Sequence, residues 1–307
     1  MGNHLRLSIA VLAWLALLFA AAGPAQAGDW WDESARSGPL DCRVVKRPSP
    51  GSPIFDAAAR VDWIDQYIEV VAGATVDPSQ EINLGHAISI GSKTARHLAY
   101  EKLAETIRGI QIDSRSRYDR ELMLDADLAT AVNGLVRWAK VVREEQTELA
   151  DGSIWVTVGL GVRLVGERGS LMAVTAPSLV KDEGWSARSY RGEPAGYTGL
   201  IIDASGLGAK PAMAPRVVTP AGETVYALTG VSRQYAISQG LMGYSRSLDE
   251  AAKMARVGAR PLVVKAIGTS GPYRADLVVK PEDAARIIRA DQAGHFLAQC
   301  RVVVVIN

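Results

Sequence analysis

Cysteine is scarce in this sequence. The two residues, Cys42 and Cys300, stand near opposite ends, and neither has a Cys or His at zinc-ligand spacing. Charge of one sign is lacking as well: 34 basic residues face 33 acidic ones, with no long run of either. A nucleic-acid binder usually carries a basic excess or stripe, so the balance argues against nucleic acid and against electrostatic docking on a membrane. Long apolar runs are almost absent. Ile9 to Ala22 is an unbroken run of 14 residues, short of the roughly 18–20 needed to span a bilayer. No second stretch approaches that length, and Val302 to Ile306 reads as a strand. Beyond the first 27 residues the histidines are His86, His97 and His295, none in a His-x-x-x-His pair, and there is no Gly-x-Ser-x-Gly elbow.

What is present begins with a leader. Arg6 supplies a short positive start, the 14-residue run follows, and Ala25-Gln26-Ala27 offers the small-x-small pattern of a signal-peptidase site. Cleavage is predicted after Ala27, with a mature chain starting at Gly28 and placed in the periplasm or secreted. Lipid attachment needs a cysteine at that first position; Gly28 stands there, and Cys42 lies too far downstream. Without Arg6, basic and acidic residues balance at 33 each. Export implies an oxidising compartment. Cys42-Arg43-Val44-Val45 and Cys300-Arg301-Val302-Val303 both read as strand starts. The two thiols are read either as a disulfide across adjacent strands or as separate buried thiols acting as small hydrophobes.

The chain divides into an N-terminal extension over 28–60, an α+β domain over 61–166, a linker over 167–196 and a second α+β domain over 197–307. The extension carries Trp30 and Trp31 at its tip. Asp62 to Thr75 opens the first domain, and Trp63, Ile64, Tyr67, Ile68, Val70 and Val71 suit a strand, with a short helical turn before it as the alternative. A helix follows from about Ala87 or Ser92 to Arg108, with Ala95, Leu98, Ala99, Leu103 and Ile107 on one stripe and Gly109 as its stop. Ile110 to Ser116 is predicted as a strand, Glu121 to Val132 as a helix ending near Asn133-Gly134, and Leu135 to Leu149 as a long strand. Asp151-Gly152 is a hairpin dipeptide. Ile154, Val156, Val158, Leu160, Val162 and Leu164 then alternate with period two, which predicts one buried and one wet face.

The run Ala95-Arg96-His97-Leu98-Ala99-Tyr100-Glu101-Lys102-Leu103-Ala104-Glu105-Thr106-Ile107-Arg108-Gly109-Ile110-Gln111-Ile112-Asp113-Ser114 resembles the helix-strand core of the twenty-kilodalton lipoprotein family. That family is related to the N-terminal domain of flagellar assembly protein T. Asn133-Gly134-Leu135-Val136, Val141-Val142 and Asp151-Gly152-Ser153-Ile154-Trp155-Val156 fall where its pattern expects them. The resemblance covers residues 61 to 165 and rests on packing and turn residues. It implies a fold and an assembly role rather than a chemistry. The missing lipidation cysteine means that the anchoring in the family's name does not carry over.

In the linker Gly, Pro and Ser interrupt any periodicity, with a short element at Leu171 to Val174. Beyond it, Gly199 to Ala204, Arg216 to Thr219, Glu223 to Tyr226, Pro261 to Ile267 and Cys300 to Ile306 read as strands. Ser247-Leu248-Asp249-Glu250 fits a capping box, and Pro281 with Glu282 and Asp283 marks a second helix start, with Ala284, Ile287, Ile288 and Asp291 facing inward. No regular βαβ rhythm emerges, so both halves are assigned to α+β, mainly antiparallel.

Candidate chemistry is thin. Gly159-Leu160-Gly161 with Gly166 has its third glycine misplaced for a dinucleotide loop. Ser205-Gly206-Leu207-Gly208 follows a strand but lacks a Walker lysine, so a simple turn is the stronger reading. Asp249/Glu250 and Glu282/Asp283 are explained by helix starts, and Asp125/Asp127 point to different faces. Lys265 inside an apolar strand is read as a solvated residue of a sheet edge, with an ion pair to Asp203 as the alternative. No catalytic, cofactor-binding or metal-binding residue is assigned. The composite expectation is a non-enzymatic exported envelope protein, an assembly or interaction component of a surface or flagellum-like structure, with unidentified envelope proteins as partners. Two alternatives stand beside it: a periplasmic ligand-binding protein with a site around Trp185, Tyr190 and Tyr197, and an unrecognised hydrolase.

Overall fold

A computed structural model describes residues 55–180 and 196–306. Its first sheet starts earlier than the sequence suggests. Strand β1 (Phe55–Asp62) pairs along its whole length with β2 (Tyr67–Val76), from Phe55 opposite Ala74 to Asp62 opposite Tyr67. The Asp62 carboxylate accepts the N–H groups of Ile64 and Asp65, both at 3.0 Å, and so shapes the turn. Residues 55–60, assigned above to the extension, therefore belong to the sheet. The run Ala57-Ala58-Ala59 has little apolar alternation and weak strand preference, and only its partner reveals it.

The long helix α1 (Leu84–Gly109) lies on this sheet. Asn83 caps it, its side-chain oxygen accepting the His86 N–H at 2.9 Å. Ala87, Gly91, Ala95, Ala99, Leu103 and Ile107 recur every four residues and are buried. The small residues of the first half let backbone approach backbone. A Cβ at Gly91 would lie 2.8 Å from Val156 and 2.9 Å from Val76 side-chain carbons. Leu98, expected on this stripe, is only half-buried at its margin.

The predicted strand over 110–116 is a loop with one isolated bridge, Gln111 to Arg117. The buried alternation of Ile110, Ile112 and Ser114 is real, but the segment is stitched to the C-terminal half. Met213 N–H donates to the Gln111 carbonyl at 3.0 Å, Ala214 N–H to Ile112 at 2.6 Å and Tyr273 N–H to Ser114 at 3.2 Å. The helix predicted over 121–132 is two helices, α2 (Tyr118–Leu124) and α3 (Ala126–Arg137). Between them Asp125 takes extended backbone angles and caps α3 by accepting the Leu128 N–H at 2.9 Å. The stripe Leu128, Val132, Leu135 and Val136 carries α3 straight through Asn133-Gly134. The next strand, β3 (Lys140–Glu148), consequently starts later than Leu135.

A tight hairpin with Gly152 at φ 82° leads from β3 into β4 (Ile154–Arg163). The sheet order is β1-β2-β4-β3, antiparallel throughout. Every residue of β4 from Ile154 to Val162 is buried, which corrects the expected wet face. On the side away from α1, the Trp155 ring lies over Gly73 and the Tyr67 ring over Gly161, each filling the space a Cβ would take. Helix α4 (Leu171–Leu179) follows, capped by Ser170. Leu171, Met172 and Ala176 are fully buried, so this part of the expected linker is core.

The second sheet contains β5 (Gly199–Asp203), β6 (Val217–Val218), β7 (Thr224–Tyr226), β8 (Gly243–Ser245), β9 (Pro261–Ser270), β10 (Asp276–Val279) and β11 (Val302–Val305). Their order is β7-β6-β10-β9-β5-β11-β8. The run β9-β5-β11-β8 is parallel, as is β6 with β10, whereas β9 with β10 and β6 with β7 are antiparallel. Across both sheets antiparallel pairing predominates, and the architecture is α+β. Helices α5 (Arg233–Gln239), α6 (Leu248–Lys253) and α7 (Pro281–Gly294) complete it. Ser247 caps α6 as its sequence signalled, accepting the Glu250 N–H at 3.2 Å. His295 closes α7 in the left-handed region at φ 45°. Elements α5, β8 and β10 carry too weak a pattern to have been read. Cys300 is not a strand start: it sits in a turn at φ 55°, two residues before β11. One hydrophobic cluster runs from Ile68 in β2 to Val304 in β11, so both sheets share a core.

Candidate interaction surface

The strongest polar cluster lies where the 110–117 loop meets the second sheet. Asp276, fully buried at the start of β10, accepts from Ser114 Oγ at 2.6 Å, from Arg216 N–H at 2.9 Å and from Arg216 Nε at 2.9 Å. Arg216 Nη2 adds a contact at 2.5 Å. Both carboxylate oxygens are occupied and the opposite charge is in place, as in a structural tie between segments. Neither Ser114 nor Asp276 carried a motif; only their convergence reveals the cluster.

A second polar group lies inside the C-terminal half. The Arg256 guanidinium donates to three backbone carbonyls, those of Cys300 at 2.7 Å, Gln239 at 2.6 Å and Gly240. Burial lowers its pKa. Tyr226 donates to the Leu241 carbonyl at 2.8 Å, and Tyr244 bridges Ala212 N–H and C=O at 2.9 Å each. Cys300 is a free, buried thiol beside this group. Burial pushes its pKa up to about 11, which removes the thiolate that nucleophilic chemistry needs near neutral pH. Cys42, the other half of the expected disulfide, lies outside the described residues.

The remaining residues singled out in the sequence are dispersed. His86 contacts Glu81 at 2.7 Å and His97 contacts Glu101 at 3.3 Å, both at the surface. Among the described residues no three His, Cys, Asp or Glu side chains converge as metal ligands. Gly159 and Gly161 lie inside β4, and Ser205 to Gly208 form a turn whose Leu207 carbonyl accepts from Arg274 at 2.6 Å. Asp203 and Lys265 are register partners on β5 and β9. The Asp203 carboxyl is held below its usual range first by Ser205, with Lys265 contributing least among the causes. Lys265 is not at a sheet edge, since β9 runs between β10 and β5. It is solvated because its face of β9 is uncovered: Val263 and Ile267 on either side are exposed too. Trp185 and Tyr190 lie outside the described residues, and Tyr197 is half-buried against the core. A surface groove of about 380 Å³ lies elsewhere, at the C-terminal end of α1, lined by Val61, Trp63, Glu105, Ile110, Lys210 and Pro211.

Among the described residues, β3 has a strand partner on one side, β4. It is one of the two outer strands of the first sheet, opposite β1, nine residues long and mostly exposed. Strand β4, the other candidate edge in the sequence, is interior between β2 and β3, which excludes Val158 as an edge position. The hairpin fixes which backbone groups of β3 face outward. Leu149 N–H donates to the Ser153 carbonyl at 2.8 Å and Gly152 N–H to Leu149 at 3.0 Å. Counting back by twos, Thr147, Glu145 and Arg143 turn their backbone groups to β4, and Glu148, Gln146 and Glu144 turn theirs away. A bulge at Val142 interrupts the register near the start. Glu144 is fastened to α1 by Ser92 at 2.6 Å and Arg96 at 3.4 Å, while Glu145 is 55% exposed. Trp138, just before the strand, is 86% exposed.

Among the described residues no helix is long and apolar enough to cross a membrane. No curated protein matches the chain. Residues 199–307, which hold the second sheet and its helices, match the family model described as Treponema pallidum Tp0624, second domain.

Proposed function

We propose that this chain is an exported, non-enzymatic component of a cell-envelope assembly, and that it docks on a partner through the outer edge of β3. The observation that carries the reading is that edge: a nine-residue strand whose Glu144, Gln146 and Glu148 backbone groups face away from the sheet. Such an edge accepts a strand from another chain through main-chain hydrogen bonds. The leader ending at Ala27 supports export. The resemblance of residues 61–165 to the twenty-kilodalton lipoprotein family, and through it to the flagellar assembly domain, supports an assembly role. Acids and bases that could serve catalysis are instead spent on caps, on the Asp276 tie and on surface pairs.

The test is a proline at Gln146, whose N–H is not used by β4. The variant should keep the wild-type circular dichroism and lose its co-purifying envelope partner. Partner recovery equal to wild type, or turnover of a substrate by the purified protein, would overturn the reading.

A further inference from the structure

Three segments meet at the groove by the C-terminal end of α1, and each is braced by another. Tyr244 accepts the Ala212 N–H and donates to the Ala212 carbonyl, both at 2.9 Å. The Tyr244 ring meets Trp63 edge to face, 5.8 Å between centroids. Lys210 N–H donates to the Arg274 carbonyl and Met213 N–H to the Gln111 carbonyl, each at 3.0 Å. Trp63, the turn at Gln111 and the segment at Lys210 and Pro211 therefore keep their spacing with nothing bound, and little order is lost when a ligand enters. The volume, about 380 Å³, falls within the roughly 300–1,000 Å³ of small-molecule sites.

The lining specifies what fits. Val61, Trp63, Ile110 and Pro211 make it largely apolar. Gln111 Oε1 is buried and has no hydrogen-bond donor. A buried acceptor left unpaired costs stability that a donor from a ligand restores. A half-turn about the last torsion of the side chain exchanges amide oxygen and nitrogen, so Gln111 presents its acceptor to the groove at little cost. Thr106 and Gly109 bring the last turn of α1 to the same place, and the carbonyls there carry the partial negative charge of a helix C-terminus. Both features call for a donor, best a cationic one. Lys210 calls for the opposite. It is exposed, and among the described residues its ammonium has neither an ion pair nor a hydrogen bond. Glu105, which also lines the groove, is paired with Lys102 at 3.0 Å and offers no free charge. We infer that the groove binds a small zwitterion with an apolar side chain, an apolar amino acid or a dipeptide. Its ammonium sits at Gln111 and the α1 carbonyls, its carboxylate at Lys210 and its side chain on Trp63. The groove shares no residue with the β3 edge, so this inference and the docking reading can fail separately.

Isothermal titration of the purified full-length chain with alanyl-phenylalanine should give a dissociation constant of about 1 mM or tighter. Glycylglycine, which lacks the apolar side chain, should bind at least about tenfold more weakly. Amidation of the peptide carboxylate and Lys210→Gln should each weaken binding about fivefold, and the two together no more than either alone. N-acetylation, which removes the ammonium, should weaken it at least as much. A Cβ at Gly109 would meet no atom within 4 Å, so Gly109→Leu obstructs the groove without disturbing the fold and should cost about tenfold or more. Circular dichroism checks both variants, and the amidated and acetylated peptides repeat the test on wild type should either misfold. Phenylalanine binding as tightly as the dipeptide would assign the site to free amino acids; weaker binding would assign it to peptides. No binding of either at millimolar concentration, glycylglycine binding as well as alanyl-phenylalanine, or an affinity unmoved by amidation, acetylation and Gly109→Leu would each overturn the inference.

Discussion

Ser114 Oγ donates a 2.6 Å hydrogen bond to the buried Asp276 carboxylate, 162 residues further along the chain. The contact joins a loop of the first half to the first residue of β10, and Arg216 completes it from a third segment. Asp276→Asn keeps the volume but turns an amide toward the guanidinium. It should cost about 2–3 kcal/mol, moderated because Arg216 reaches solvent. Urea unfolding would measure it, and Ser114→Ala should cost about half as much.

Proline scanning of the first sheet should separate edge from interior. Val158→Pro, in β4 between two partners, removes a ladder bond and should cost about 3 kcal/mol or more. Gln146→Pro should cost less than about 1 kcal/mol. Equal losses of thermal stability would contradict the strand order.

The contact between α1 and the sheet depends on Gly91. Gly91→Leu places a side chain where a Cβ alone would already lie within 2.9 Å of Val76 and Val156. Overpacking should cost about 2–3 kcal/mol. Asn83→Ala, which loses the α1 cap, should cost about 1 kcal/mol. Denaturant midpoints would read both.

Cys300 should resist iodoacetamide in the folded protein at pH 8 and react once the chain is unfolded without reductant. Its folded pKa of about 11 lies above the ordinary thiol value of 9.0 because burial disfavours the thiolate. The linked stability is therefore fully present below pH 9 and is lost as pH rises toward 11. A midpoint flat across that window would contradict the burial; buried Tyr226 and Tyr244, both raised from 10.0 by burial, act in the same direction from about pH 10 upward, within that window.

Mass spectrometry of the native protein should find Gly28 as the first residue, without acyl mass. A retained leader or a lipid-modified terminus would reject export through the Ala25-Gln26-Ala27 site.

Much of the architecture was legible locally. The fourfold spacing from Ala95 to Ile107, the Asp151-Gly152 turn, the Ser247 cap and the Pro281 start each act within about one helical turn or one hairpin, where neighbouring residues supply the energy. The same locality explains the misreadings. Asp125 splits a helix that its flanking apolar residues would have continued. Asn133-Gly134 fails to stop α3 because Leu135 and Val136 bury beyond it. Strand β1, with three consecutive alanines, has no pattern of its own and is held by its register with β2.

Composition, charge balance and α+β class were determined by the sequence alone, because they are sums or short-range periods that no partner can alter. Strand order was decided only in three dimensions. An alternating run specifies that a strand has a buried face but not which strand lies beside it, and several pairings of such runs are close in energy until the whole core forms. That is why Val158 became interior and β3 an edge, why Lys265 is solvated in the middle of a sheet, and why Ser114, which follows Ile110 and Ile112 in a predicted strand, closes on Asp276.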